Sequence, residues 1–329
     1  MNSNDRRSTA PSEDIVLPDL SIIDPHVHMW NLGGFDYFAP ELLADIHDGH
    51  KVTKTIYVEC HMAYNKDPRE PFQPVGETEY VIDQIAHAPP SDHDLAAGIL
   101  GCVNLMLGRE AGAVLDAHVA AAKGRFRGIR SHVGYHPDPT VGYPNTPRYP
   151  QGNILRTEQY LAGANCLLER GLTLDVWALH TQLDDVTAFA AKIPQLPIMI
   201  DHCGGPLGVG PYADQRDQVF KDWSASLRKA AQVPNLHIKL SGLGMKRLGF
   251  TGDPAKTSDE LVAKWKPWVR ACLDAFGPSR SVFASNFPVD QVAGSYRVVV
   301  NAYKKMLSDL PPADLNAIFS ENARRFYKL

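Results

Sequence analysis

Two histidines separated by a single residue, His26 and His28, follow the apolar run Ile22-Ile23 and the pair Asp24-Pro25. Side chains alternate across a β-strand, so Asp24, His26 and His28 are expected on one face of one strand end. Two imidazoles in that relation can hold one metal ion or polarise one substrate oxygen, because neutral imidazole offers both a lone pair and an N–H. In the bland alternative they are two polar residues of a strand-to-loop turn. Which reading holds depends on what else the fold brings to that point.

The elements that must position them come from 329 residues, 44% hydrophobic and 21% charged, the composition of a soluble globular protein. No run of about 18 apolar residues is present to span a bilayer. The formal net charge of -4, without a Lys/Arg cluster, argues against a nucleic-acid or anionic-membrane surface and for a small-molecule substrate. Whether the chain forms a homo-oligomer stays open. The five cysteines, an odd number with no Cys-x-x-Cys pair, point to reduced thiols in a cytoplasmic protein rather than to a disulfide scaffold. Residues 1–19 are polar and Ser-rich and lack the apolar core of a secretory signal, which predicts a disordered lead-in to one domain over 20–329.

Strand and helix then alternate to the end. After the first strand, further strands are expected at 52–60, 96–105, 126–133, 172–180, 197–206 with its closing glycine turn, 236–242 and 281–290. Helices are expected at 40–48, 77–87, 109–123, 157–170, 183–193, 214–232, 258–276, 295–307 and 312–327, with Gly171 placed to end the fourth. The stretch 134–155, crowded with Pro, Gly and Tyr, is a long loop after strand four, and such loops are usually lids or binding loops. Eight strand-helix units without a composition break predict a single α/β (β/α)8 barrel. An open doubly wound sheet lacks its Gly-x-Gly-x-x-Gly turn here.

In such a barrel the chemistry lies at the C-terminal ends of the strands. There the sequence places His26 and His28, Glu59, Arg130, His180, Asp201 and His202, Asn286 and Asp290. A single polar strand end usually reflects packing. This many together are hard to ascribe to a barrel interior that prefers branched apolar residues. Of the remaining histidines, His47, His50, His87, His93, His118 and His237 read as solvated or capping, His61, His132 and His136 as weaker candidates near the mouth, and Cys203 as a small buried residue rather than a nucleophile.

Four motifs in order, Asp24-Pro25-His26-Val27-His28, Phe126-Arg127-Gly128-Ile129-Arg130, Ile200-Asp201-His202 before Gly-Gly-Pro, and Glu321-Asn322-Ala323-Arg324, resemble the amidohydrolase-2 branch of the amidohydrolase superfamily, a TIM-barrel group that includes lactonases. The resemblance implies hydrolysis of a small, anionic lactone at the barrel mouth. It matches His26 and His28 to the strand-one pair, and His180 and His202 to the strand-five and strand-six histidines. Arg130, with Glu59 and Asp201, is expected to hold substrate, since a guanidinium matches a carboxylate bidentately. Candidate bases are His180, Glu59 and Asp201. The resemblance also allows a divalent metal such as zinc on His26, His28 and His180, with metal-free chemistry equally open. One departure stands out, because strand eight carries Asn286 where the family has an aspartate, and an amide cannot accept a proton near neutral pH. That leaves two alternatives, a non-oxidative decarboxylase of an aromatic or unsaturated acid and a non-catalytic ligand-binding barrel.

Overall fold

A computed structural model of the chain describes residues 13–31, 35–67, 69–141, 152–250, 255 and 257–329. Eight parallel strands run β1 Ile22–Val27, β2 Val52–Val58, β3 Asp94–Gly101, β4 Phe126–His132, β5 Thr173–Trp177, β6 Ile198–Ile200, β7 Leu236–Leu240 and β8 Ser281–Phe283. They pair in chain order into one sheet. Most strand residues are buried on both faces, as helix-covered parallel strands must be, which is why these segments read as nearly continuous apolar runs. The architecture is the expected (β/α)8 barrel.

The helices between the strands are α1 Ala39–Ile46, α2 Val75–Ala86, α3 Ala111–Ala121, α4 Glu158–Glu169, α5 Leu183–Lys192, α6 Arg216–Ala230, α7 Ser258–Phe276 and α8 Tyr296–Leu307. Local chemistry sets their ends. Thr157 caps α4 by accepting the Tyr160 N–H at 3.2 Å, and Gly171, at φ 64°, takes the left-handed conformation that stops it. Ser295 caps α8 in the same way. The helix expected over 312–327 is divided into α9 Pro312–Asn316 and α10 Asn322–Phe326 by a π-helical turn. Asn322, directly after that turn, donates to the Pro278 and Ser281 carbonyls and fastens the chain to the foot of β8.

Of the expected disordered lead-in, residues 1–12 lie outside the described residues. The rest is tied to the barrel wall. The Glu13 carboxylate accepts the Ser258 N–H and O–H at 2.7 and 2.6 Å, the Val16 N–H donates to Asn301 at 2.8 Å, and Lys304 donates to the Leu17 carbonyl at 2.9 Å. Much of the long loop after β4, residues 142–151, also lies outside the described residues, as do Gly33 and Gly34 of the aromatic loop after β1.

The seam between β1 and β8 is narrow. One isolated bridge, Val27 to Phe287, with the His28 N–H donating to the Phe287 carbonyl at 2.8 Å, brings the strand ends together. Asp24 reinforces it. Its buried carboxylate accepts the Ser285 N–H at 2.9 Å, the Tyr296 hydroxyl at 3.0 Å and the His26 N–H at 3.4 Å. Asp24 therefore does not share a face with the histidines, because the β1 register against β2 slips between Asp24 and Val27 and breaks the simple alternation.

Replacing Asp24 with alanine would leave a buried N–H and a buried hydroxyl without their acceptor. We expect a loss of about 2–4 kcal/mol in urea unfolding, since each orphaned buried donor costs about 1–3 kcal/mol. An unchanged midpoint would show that the backbone bridge alone holds the seam.

Candidate active site at the barrel mouth

The strand ends converge on His26, which is fully buried. Its ring lies 5.0 Å from that of His28 and 4.5 Å from that of His202. Beneath it sits Lys239 of β7, also fully buried, whose Nζ is 3.2 Å from His26 Nδ1 and 3.2 Å from Asp201 Oδ1 and bonds Asp175 of β5. Tyr327 donates to the same Asp175 carboxylate at 2.8 Å. Burial alone would raise Asp201, but Lys239 and His26 outweigh it and hold this carboxyl well below the usual range. Burial pushes Asp175 up to about 7 against the pull of Lys239.

Ammonium only donates. Asp201 Oδ1 also approaches His26 Nδ1, at 3.6 Å, but the shorter contact is with Lys239, and where Lys239 donates to Nδ1 a neutral His26 carries its own proton on Nε2. Burial, then Lys239, keep His26 neutral by driving its pKa well below the usual histidine value. Nε2 is buried and has no hydrogen-bond partner among the described residues. It is a donor awaiting an acceptor.

His28 has the opposite polarity. Its Nδ1 lies 2.8 Å from the Val58 carbonyl, which can only accept, so the Nδ1 proton is fixed and Nε2 keeps a lone pair. Burial and then Arg130 lower its pKa to about 4, while Glu59 and Asn286 favour its protonated form. Trp30 stacks on the ring at 5.7 Å and Phe35 packs against Trp30, so part of the aromatic loop does form a wall of the mouth.

Glu59 and Arg130 face each other rather than open space. Arg130 Nε donates to Glu59 Oε1, and Nη2 donates to the Glu59 carbonyl at 2.6 Å. His61 Nε2 lies 3.4 Å from the other Glu59 oxygen. After β8 Asn286, at φ 58°, donates through Nδ2 to Asp290 Oδ1 at 2.8 Å. The turn Val289–Val292 carries Asp290 back under Asn286, and the Gly244 N–H donates to its second oxygen at 3.1 Å. Burial raises Asp290 to about 7.

His202 follows β6 in a left-handed turn at φ 53°, with Nδ1 3.0 Å from the Ser241 hydroxyl and its ring 4.9 Å from Trp177. Gly242 makes room for it, since a Cβ there would lie 2.5 Å from the imidazole. His180 has partners of its own. The Leu207 N–H donates to its Nδ1 at 3.3 Å and its ring packs on Tyr212, whose hydroxyl is 3.0 Å from His136. The residues that sequence reasoning missed are Lys239, Asp175, Ser241 and Tyr327. The one available signal was a charged residue inside each of the apolar strands Leu236–Leu240 and Thr173–Trp177.

Among the described residues, two groups bring possible metal-ligand atoms within 4.8 Å of one another: His26, Asp201 and His202, and beside them Glu59, His61 and Cys102. The first differs from the expected set of His26, His28 and His180, with His202 and Asp201 in place of the other two. Its donors do not fit a cation as they stand. Lys239 already lies against Asp201 and occupies the His26 Nδ1 lone pair, which leaves a proton, not a lone pair, on Nε2. In the second group Glu59 is engaged by Arg130.

A barrel with its polar residues at this mouth matches known proteins across its length. The Amidohydro_2 family, described as amidohydrolase, covers residues 23–329, and the chain belongs to it. It is an amidohydrolase-family hydrolase. An uncharacterized protein of Sinorhizobium fredii, y4mH, is 30% identical over 95% of this chain and 100% of that protein. An L-fucono-1,5-lactonase of Burkholderia ambifaria is 26% identical over 93% of this chain and 95% of its own length. The structure of an amidohydrolase from Burkholderia multivorans with bound zinc shares the fold, with a TM-score of 0.70 and 24% identity over 94% of this chain and 99% of that one.

Behind Glu59 lies a further buried acid. Glu77 Oε1 accepts from the Tyr57 hydroxyl at 2.8 Å, the Cys60 N–H at 2.7 Å and the Met62 N–H at 3.1 Å, setting the chain path after β2. Burial first, then the Glu59 charge, raise its pKa to about 7 from about 4.5. The folded state thus keeps a proton that the unfolded chain releases, and Glu77 withdraws stability as pH rises from about 4.5 through about 7. Glu77→Gln keeps the acceptor and removes the titration. Between pH 5 and pH 8 its unfolding free energy should gain up to about 3 kcal/mol on the wild type. Parallel pH-stability curves for the two proteins would refute this assignment.

Proposed function

We propose that the protein hydrolyses a small, uncharged, hydroxyl-bearing lactone to its hydroxy acid. The observation that carries this is the complementary pair of neutral imidazoles, His26 offering an N–H and His28 a lone pair, with ring centroids 5.0 Å apart. The lactonase among the relatives supports the same substrate class. The expectation of an anionic substrate rested on Arg130 as a carboxylate fork. Its Nε and Nη2 edge is turned onto Glu59, so Arg130 serves to anchor Glu59 at the mouth, and a neutral ring suits the site better.

A water beside His28 would be deprotonated by Nε2 as its oxygen attacks the lactone carbonyl carbon. The Asn286 amide and the Glu59 carboxylate stabilise the imidazolium that forms. Negative charge develops on the carbonyl oxygen, where the preorganised His26 Nε2–H can donate. When the tetrahedral intermediate collapses, the ring C–O bond breaks, His28 returns the proton to the departing ring oxygen, and the product is a hydroxy acid. Glu59 and Asp201, held by Arg130 and Lys239, are poorly placed as bases, and His180, with Nδ1 accepting from Leu207, is a donor on Nε2. Asn286 orients water and holds Asp290 without itself taking a proton.

Acid release from aldono-1,5-lactones, followed in weak buffer with a pH indicator, should be fast relative to release from dicarboxylate or aromatic lactones. Silence across the lactones together with carbon dioxide from hydroxybenzoates would overturn the reading in favour of decarboxylation. Binding of lactones without turnover would make the barrel a binding protein.

Asn286→Asp sets a second carboxylate against Asp290, and two carboxylates at that distance share one proton. Its kcat/KM should fall at least tenfold between pH 7 and pH 9 as that proton is lost, a steeper fall than in the wild type, whose Asp290 is raised only to about 7. A gain of activity at all pH values would mean that the amide merely impairs a carboxylate-based mechanism.

A further inference from the structure

We propose that Lys239 is a positioning residue for this hydrolysis, an internal cation that fixes His26 as the Nε2–H tautomer and stands where a metal ion would otherwise draw in His26 and Asp201. The proposal rests on the lactone-hydrolase reading for its purpose, though not for its test. Three observations carry it. Lys239 is fully buried, donates to Asp175 of β5 and to His26 of β1, and pairs by charge with the Asp201 carboxylate after β6 at 3.2 Å, so polar groups from three other segments converge on one ammonium. Its neighbours leave it no other geometry, since Tyr327 donates to Asp175 and lies with its ring 5.5 Å from Nζ. The His26 Nε2 atom is left buried and without a partner among the described residues, which a protein tolerates where a ligand supplies one.

The ligand-type residues around Lys239 would be a competent divalent site if the ammonium were gone. His26, Asp201 and His202 already bring their ligand atoms within 4.8 Å. An imidazole whose Nδ1 accepts from lysine cannot also present an Nε2 lone pair, because one nitrogen of a neutral ring must keep the proton. Lysine and metal are therefore mutually exclusive partners of His26. Among the described residues the choice is made by a side chain from β7, which lies outside the family-like motifs read from the sequence.

The test compares the wild type with Lys239→Met and with Lys239→Met/Asp175→Asn, the second variant removing the carboxylate left uncompensated if the single variant fails to fold. Cobalt(II) is titrated into each and its visible absorption followed, and the tautomer of His26 is read by long-range 1H–15N NMR, with His26→Gln supplying the assignment. The wild type should show His26 as the Nε2–H form and no saturable cobalt spectrum at micromolar metal. At least one variant should bind one equivalent of cobalt, at least 100-fold tighter, and lose the pure Nε2–H pattern. Tight stoichiometric cobalt binding by the wild type, a wild-type His26 protonated on Nδ1, or folded variants that keep the tautomer and gain no metal would each overturn the proposal. None of these readouts involves a lactone, so they stand whether or not acid release is found.

Discussion

Lys239 brings an ammonium into the middle of a barrel whose walls are otherwise apolar, and most of the polar architecture near the mouth follows from compensating it. A buried cation is tolerated only when paired and hydrogen-bonded. Two carboxylates from adjacent strands, Asp175 and Asp201, supply the charge, and an N–H goes to His26. The carboxylates need partners of their own, and Tyr327, close to the end of α10, provides one for Asp175. The polar layer thus couples β1, β5, β6 and β7 to the closing helix, and removal of Lys239 or of either carboxylate leaves a buried charge without its counter-charge.

The same constraint explains why the histidines differ although they share one strand. His26 and His28 are both buried, and both have pKa values depressed by burial, yet their partners are of opposite character. A lysine below His26 forces the proton outward, and a carbonyl beside His28 draws the proton inward. What touches Nδ1 thus gives one residue type two opposite hydrogen-bonding polarities at Nε2. The precision of the arrangement depends on the β1–β8 seam, where Asp24 fixes the backbone just before both rings.

Much of this was legible in the sequence. Alternating apolar strands and helices specify the barrel, and spacing puts His26 and His28 at a strand end. What the sequence hid was mostly a matter of orientation. Strand parity placed Asp24 with the histidines, but a register slip turns it to the seam. His180 follows β5 closely, as expected, yet packs on Tyr212 and outside the His26 cluster, because the 3-10 turn His180–Gln182 carries it there. Lys239 was in plain view, but a lysine in a strand ordinarily extends its amine to solvent, and only the fold shows two carboxylates from other strands meeting it. Asp290 returns to Asn286 through a turn that no periodicity announces.

The amide at position 286 and the lysine at position 239 belong to one charge balance. Asp175, Asp201 and Glu59 are buried anionic or partly protonated groups, and Lys239 and Arg130 are the cations that bond them. Asp290 adds a fourth acid, which burial holds near neutrality. A further carboxylate at 286 would stand within hydrogen-bond reach of Asp290, while Lys239 and Arg130 are already paired with other carboxylates. An amide supplies a similar hydrogen-bonding shape at zero charge, and its N–H satisfies Asp290. An uncharged amide at 286 is compatible with a site whose buried carboxylates are already matched by Lys239 and Arg130.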